Sequence, residues 1–226
     1  MIVVHHLNNS RSQRVLWLLE ELGLPYEVKR YQRDAKTMLA PPELKQVHPL
    51  GKSPVIEDTD GTSGGGGAIA ETGAIVEYLV DKADGRLGAP AKRGDALRYR
   101  FWLHYAEGSL MPPLLLKLVV SRIPVFGKVA LKRIQPMIDV HLDYIESELA
   151  QRPWFAGAEM TAADIMMSFP LEAARSRAGL DESRPATIAW LKKVHARPAY
   201  QAALEKVHAR PAYTRALERG GLYAYA

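Results

Sequence analysis

Four small polar side chains, Asn8, Asn9, Ser10 and Ser12, stand where the apolar run Ile2–Val4 hands over to a helix-forming stretch, SQRVLWLLEEL. A strand that runs into a helix N-terminus presents unpaired backbone N–H groups and the positive end of a dipole. A thiolate or other anion is stabilised there, and a Ser hydroxyl adds one directed hydrogen bond. Capping is the competing use of the same residues. Ser12 opens the periodic run and is expected to be the N-cap, whereas Ser10 is open to either role. In a second stretch, HPLGKSPVIED, Pro54 stands at the first position of a strand. A cis Ser53–Pro54 bond would turn the N–H and C=O of Ser53 outward as a ladder for an extended peptide, and a trans bond would make an ordinary strand start. The third stretch, AETGAIVEYL, puts Glu71 and Thr72 at a strand-to-helix junction. Thr72 is a natural N-cap. With the N-terminal N–H groups it suits a carboxylate, and Glu71 suits an ammonium group, so the pair fits an amino-acid head group. A plain cap is the alternative.

These positions belong to an alternating series of elements. Ile2–His5 reads as a strand. Residues 12–22 carry Val15, Leu16, Leu18, Leu19 and Leu22 at helical spacing, and Gly23 followed by Leu24-Pro25 ends the helix. YEVKRYQ alternates as a second strand, a short helix is expected near Pro42–Gln46, and SPVIED, AIAE and TGAIVEYLVDKA give two strands and a helix. The order β-α-β-α-β-β-α makes an α/β layer. The Gly/Pro/charge-rich stretch DGRLGAPAKRGD, residues 84–95, is the domain break, so the domains are expected at 1–83 and 90–226.

Everything after the break reads as helix. ALRYRFWLHYAEGSLMPPLLLKLV is expected to be one long helix with a bend at Pro112-Pro113. In TAADIMMSFPL, Thr161 caps a helix and Asp164 reaches back to the cap, a capping box assigned to folding. Trp154 and Phe155 are expected core anchors. VHARPAY occurs at Val194–Tyr200 and again at Val207–Tyr213. This local duplication lengthens the helical tail, either as a plain extension or as a flap with GGLYAYA as aromatic cover. Gly64–Gly67 occupy a hairpin position.

Composition removes several function classes. Apolar residues make up 47% of the chain, enough for a core of ordinary size. Cys is absent, which excludes disulfides, thiolate metal sites and a Cys nucleophile, and fits a reducing, cytoplasmic setting. The +5 formal charge is scattered among acids, so nucleic-acid binding is not expected, and a mild attraction for small anions is. No uninterrupted apolar stretch suits a membrane span, and MIVVHHLNN lacks the features of a signal peptide. His5, His6 and His48 are expected to pack or face solvent rather than react.

Taken together, the three stretches resemble the soluble glutathione transferases, with an α/β thioredoxin-like N-terminal domain plus an all-α C-terminal helical domain. HPLGKSPVIED is similar to the family's cis-proline segment, AETGAIVEYL to its acidic-Ser/Thr motif, and TAADI to its second-domain capping motif. NNSRSQRVLWLLEELGLPYEVKRYQRD and APPELKQVHPLGKSP are most similar to a bacterial and fungal, serine-type-like subgroup. The resemblance implies that Glu71 and Thr72 hold the γ-glutamyl ammonium and carboxylate of glutathione, and that Lys52 reaches the glycyl carboxylate. It implies that Ser53, ahead of a cis Pro54, pairs its backbone with the cysteinyl residue. Ser10 is the expected donor to the sulfur, with Asn9 as alternate and Ser12 third. Arg98, Phe101, Tyr105 and Met111, with Leu115, lie on the long helix that would carry the electrophile pocket, although core packing is the common use of such a stripe.

The implied function is conjugation of the glutathione thiolate to small hydrophobic electrophiles, a detoxification reaction, by a cytoplasmic homodimer that uses glutathione as co-substrate and no metal. Two rivals are a glutathione-dependent peroxidase or disulfide reductase without a protein Cys, and a non-catalytic glutathione-binding module.

Overall fold

The computed structural model describes residues 1–60, 67–124 and 126–208. The Gly64–Gly66 part of the glycine run, the second VHARPAY copy from position 209 onward and GGLYAYA lie outside the described residues. The chain forms two compact units, Met1–Arg86 joined by residues 197–208, and Leu87–Ala196.

The first unit follows the expected order, with β1 (Ile2–Leu7), α1 (Ser12–Leu22), β2 (Tyr26–Tyr31), α2 (Leu44–Val47), β3 (Val55–Asp58), β4 (Ile69–Ala70) and α3 (Thr72–Lys82). The sheet order is β2-β1-β3-β4. β1 and β2 are parallel, with Leu7 opposite Tyr31. β3 runs antiparallel to both neighbours, with His5 opposite Val55 and Val55 opposite Ala70. Period-two alternation sorts β1 into two faces. Leu7 joins Tyr31 and Leu44 of α2 in a small cluster. Ile2, Val4 and His6 share the opposite parity. α1 and α3 supply Leu16, Leu19, Ile75, Val76 and Leu79 to the core. α1 stops at Gly23, whose left-handed φ of 61° lets the Gly23 and Leu24 N–H groups return to Glu20 and Leu19. The buried Asp58 carboxylate receives Lys82 Nζ at 2.8 Å and the Tyr78 hydroxyl. Burial works to raise its pKa, but these partners win and hold it well below the ordinary range.

The last described helix, α9 (Pro198–His208), differs from the expectation of a helical domain running over 90–226. It packs on α1, in the first unit. Tyr200 meets Trp17 edge to face at 5.3 Å and its hydroxyl accepts Gln13 Nε2 at 3.0 Å. Arg197, just ahead of the helix, pairs with Glu21. The physical reason is that five consecutive apolar residues, Val15–Leu19, run through a full turn of α1 and so reach beyond its sheet-facing stripe. Trp17, off the sheet-facing stripe, is 1% exposed only because a second element covers it.

The second unit contains α4 (Arg93–Tyr105), α5 (Met111–Val120), α6 (Phe126–Leu149), α7 (Ala162–Arg177) and α8 (Pro185–His195). The irregularity expected at Pro112-Pro113 lies one turn earlier, as a π-turn over Ala106–Leu110 joining α4 to α5. A proline ring clashes with the carbonyl four residues back and donates no bond to it, so the distortion falls on the preceding turn. The Met111 N–H accordingly reaches the Ala106 carbonyl. α7 is buried on most of its faces and opens with the capping box at Thr161 and Asp164.

Candidate functional site

Ser10, Ser12 and Ser53 meet at the C-terminal end of β1. β3 enters there, because pairing His5 with Val55 carries Ser53 alongside Leu7. The Ser53 hydroxyl donates to the His5 carbonyl at 2.8 Å and accepts the Leu7 N–H at 3.2 Å, tying the pre-strand loop to β1. Ser10 Oγ lies 3.3 Å from Ser53 Oγ and 2.7 Å from Ser12 Oγ. Ser10 Oγ also accepts the Ser12 N–H at 3.3 Å. Ser12 Oγ contacts His6 Nδ1 at 2.8 Å.

The expected N-cap role of Ser12 is corrected. Arg11 is the N-cap with helical torsions, and Ser12 is the first helical residue with its hydroxyl turned inward to His6 and Ser10. Strand and helix meet in so short a loop that the side chain finds buried partners instead of the helix N–H groups. Ser12 is fully buried, Ser10 nearly so at 7%, and Asn9 is exposed with a left-handed φ of 51°. Asn9's neighbour Asn8 is held by Arg33. The Arg33 N–H donates to Asn8 Oδ1 at 2.8 Å, and its guanidinium donates to the Asn8 and Asn9 carbonyls at 3.1 and 3.4 Å. Sequence reading missed Arg33, because nothing local to it shows a partner 25 residues upstream.

The same register carries Glu71 and Thr72 next to Ser53 and Pro54, since Val55 opposes Ala70. The Ser53–Pro54 bond is cis. Here too the cap moves by one residue. Glu71, not Thr72, is the N-cap, and it sits at φ 70°, a conformation that costs a non-glycine residue roughly 1–3 kcal/mol and persists only where the surrounding structure over-determines it. The turn leaves the Glu71 side chain exposed, and Thr72 is buried at the first helical position. Lys52 is exposed just ahead of Ser53. Seven of the expected glutathione-contacting residues, Ser10, Ser12, Lys52, Ser53, Pro54, Glu71 and Thr72, therefore gather at one end of the sheet beside two helix N-termini. His5 is buried between the Tyr31 hydroxyl and Glu57, at 2.9 and 3.0 Å. His48 forms a turn that accepts the Leu50 N–H at 3.3 Å.

In the second unit the four expected electrophile contacts divide. Phe101 exposes its ring and stacks on Tyr105 at 5.2 Å. Tyr105 is buried, its hydroxyl on His141 Nδ1. Burial raises the Tyr105 pKa well above its ordinary value and lowers that of His141, so both stay neutral near pH 7. Met111 is buried. The Arg98 guanidinium is committed to Glu148 and to the Phe155 carbonyl at 3.1 Å. Among the described residues no group of three His, Asp or Glu side chains is placed to hold a metal ion, and no helix is long and apolar enough to cross a membrane.

The family model for the glutathione S-transferase N-terminal domain matches residues 10–82, and that for the C-terminal domain matches residues 111–198. The chain belongs to the glutathione S-transferase family. Glutathione S-transferase 1 of Saccharomyces cerevisiae is 36% identical over 211 residues, covering 86% of this chain and 90% of the yeast protein. Glutathione S-transferase 3 of Schizosaccharomyces pombe is 40% identical over 191 residues, covering 77% and 75%. Among solved structures, a glutathione S-transferase from Actinobacillus pleuropneumoniae is 34% identical with a TM-score of 0.80, over 91% of this chain and 92% of that one. A Pseudomonas fluorescens family member solved with two glutathione bound is 27% identical with a TM-score of 0.74, over 90% and 92%. The expected family, enzyme class and fold of a thioredoxin-like domain followed by a helical domain are thereby borne out.

Proposed function

We propose that the protein conjugates the glutathione thiolate to small hydrophobic electrophiles. The observation that carries this reading is the Ser10 hydroxyl, held at the sheet end beside the first turn of α1 and within 3.3 Å of Ser53. Glutathione lies extended past Ser53, whose main chain precedes the ladder that begins at Val55. Its ammonium meets Glu71, its γ-glutamyl carboxylate meets Thr72 and the α3 N-terminus, and its glycyl carboxylate is within reach of Lys52. The family likeness and the convergence of these residues on one sheet end support this placement.

A free thiol has a pKa of about 8.5, so little thiolate exists at neutral pH. A hydroxyl donor and a helix N-terminus favour the charged form and lower that value by one to a few units, each worth about 1.4 kcal/mol. The thiolate then attacks an electrophile held by the helical unit, the leaving group departs, and no covalent enzyme intermediate is required. Ser10 is the preferred donor. Asn9 is the alternate, because its side chain is exposed beside the same turn, and Ser12, sealed inside, acts only through Ser10. Phe101, Tyr105 and Met111 are the proposed electrophile contacts, and Arg98 braces their helix against Glu148. Cytoplasmic residence, detoxification and homodimer formation belong to the same reading. Leu97, Met137 and Val140, exposed on α4 and α6, support a dimer. Light scattering should give twice the chain mass; a monomer at micromolar concentration would remove this part.

The deciding experiment measures turnover of chlorodinitrobenzene and of cumene hydroperoxide with glutathione. Conjugation should dominate, and Ser10→Ala should lower it about 10–100-fold with the fold intact. Hydroperoxide turnover alone would favour the peroxidase rival. Retention on immobilised glutathione without turnover of either compound would favour a binding module.

A further inference from the structure

The three serines and His6 form one unbroken chain of polar contacts, and counting its protons leaves it two senses, which His6 Nδ1 selects. A hydroxyl has one hydrogen to donate. Ser53 spends its hydrogen on the His5 carbonyl and already accepts the Leu7 N–H, so it has none for Ser10. Two hydroxyl protons, those of Ser10 and Ser12, remain for the contacts Ser10–Ser53, Ser10–Ser12 and Ser12–His6 at 3.3, 2.7 and 2.8 Å. If His6 Nδ1 carries no proton, Ser12 must donate to it. The 2.7 Å contact then holds a proton only if Ser10 donates inward to Ser12, and Ser10 has nothing for a ligand. If His6 Nδ1 carries the proton, it donates to Ser12, Ser12 donates to Ser10, and the Ser10 hydrogen is released outward.

We infer that His6 is a positioning residue. By donating from Nδ1 to Ser12 it turns the Ser12–Ser10 hydroxyl chain so that Ser10 presents its proton to the glutathione sulfur. The inference rests on the reading of Ser10 as the sulfur's donor. The tautomer of an imidazole is set by its hydrogen bonds, and here it sets the donor sense of two hydroxyls in turn. His6 is 3% exposed and reaches this place because it shares the strand parity of Ile2 and Val4, the face that α1 covers. Cooperative polarisation along such a chain strengthens its terminal donor.

The test compares the wild type with His6→Leu, His6→Asn, Ser12→Ala and Ser10→Ala. The apparent thiol pKa of bound glutathione is read from thiolate ultraviolet absorbance, and affinity is measured separately with S-methylglutathione, which has no thiol. His6→Leu should raise the bound thiol pKa by about one unit, a roughly tenfold loss of thiolate below it, while S-methylglutathione affinity stays within about twofold; Ser12→Ala, which leaves Ser10 no inward acceptor, should stay near the wild-type value. His6→Asn, whose amide donor stands where Nδ1 stood, should stay near the wild-type value. A folded His6→Leu protein with a wild-type thiol pKa would overturn the inference, as would His6→Asn shifting as far as His6→Leu. If His6→Leu does not fold, His6→Met, which likewise carries no donor, replaces it, and a wild-type thiol pKa there is equally fatal. Failure of the underlying reading looks different: the wild type would not depress the thiol pKa at all, or Ser10→Ala would leave it unmoved.

Discussion

The two cap corrections follow one rule. A small polar residue at the head of a helical run is assigned the N-cap by its type, but the backbone assigns it by torsion, and at both sheet-end junctions the cap falls one residue earlier. The shift moves Thr72 and Ser12 inside their helices and leaves the preceding turns, Glu71 and Asn9, with positive φ. Glu71 spends that strain on facing outward, which suits a group that meets a ligand ammonium. Glu71→Ala should abolish retention on glutathione resin while leaving the thermal midpoint within a few degrees, because an exposed carboxylate contributes little to stability. Unchanged retention would count against the placement of glutathione. Both caps were legible as polar junctions. The hydroxyl chain was not: His6, Ser10 and Ser12 are near neighbours, but the inward turn of their side chains and the arrival of Ser53, 43 residues beyond Ser10, depend on the fold.

At the scale of elements, the capping box was legible because its two residues are three apart. Its burial was not. Asp164 receives the N–H groups of Thr161 and Phe155 at 2.9 and 3.0 Å and the Trp190 indole at 3.3 Å. Those partners favour the carboxylate, but complete burial outweighs them and pushes its pKa up to about 6. The folded pKa exceeds the ordinary 3.8, so the folded state binds the proton more tightly. The resulting stabilisation, on the order of 3 kcal/mol, is full below about pH 4 and is lost as pH rises through about 6. The stability advantage of the wild type over Asp164→Asn should therefore shrink between pH 4 and 6. Thermal midpoints across that window check it, and an advantage that grows with pH refutes it. Asp58 has the opposite sign: its depressed pKa gives stability above about pH 4 that fades as the solution becomes more acidic. Thr161→Ala should cost about 0.5–2 kcal/mol in urea unfolding.

For the whole molecule, the informative difference is the destination of α9. A domain break at residues 84–95 was readable from its Gly, Pro and charge content, and the structure divides the chain at Arg86. The return of residues 197–208 to the first unit was not readable, although Trp17 carried the signal as a large apolar residue outside the sheet-facing stripe of α1. Tyr200→Ala removes the ring against Trp17 and the acceptor for Gln13. It should destabilise the first unit by about 3 kcal/mol and expose Trp17, detectable as a red-shifted indole emission. An unshifted emission with unchanged unfolding would show that α9 contributes nothing to the core.

Sequence alone determined what lies within a turn or two along the chain: the alternation of strand and helix, the Gly23 stop, the Thr161–Asp164 box, and the polar junctions at Ser10 and Glu71. Such features rest on periodicity and on bonds between near neighbours, which composition and spacing encode directly. Tertiary structure decided which of those junctions share one sheet end, how deeply each hydroxyl is buried, and which face of α1 receives the last described helix. Those outcomes depend on strand register and on surfaces finding cover far along the chain, 187 residues in the case of Gln13 and Tyr200, and no local pattern records the partner.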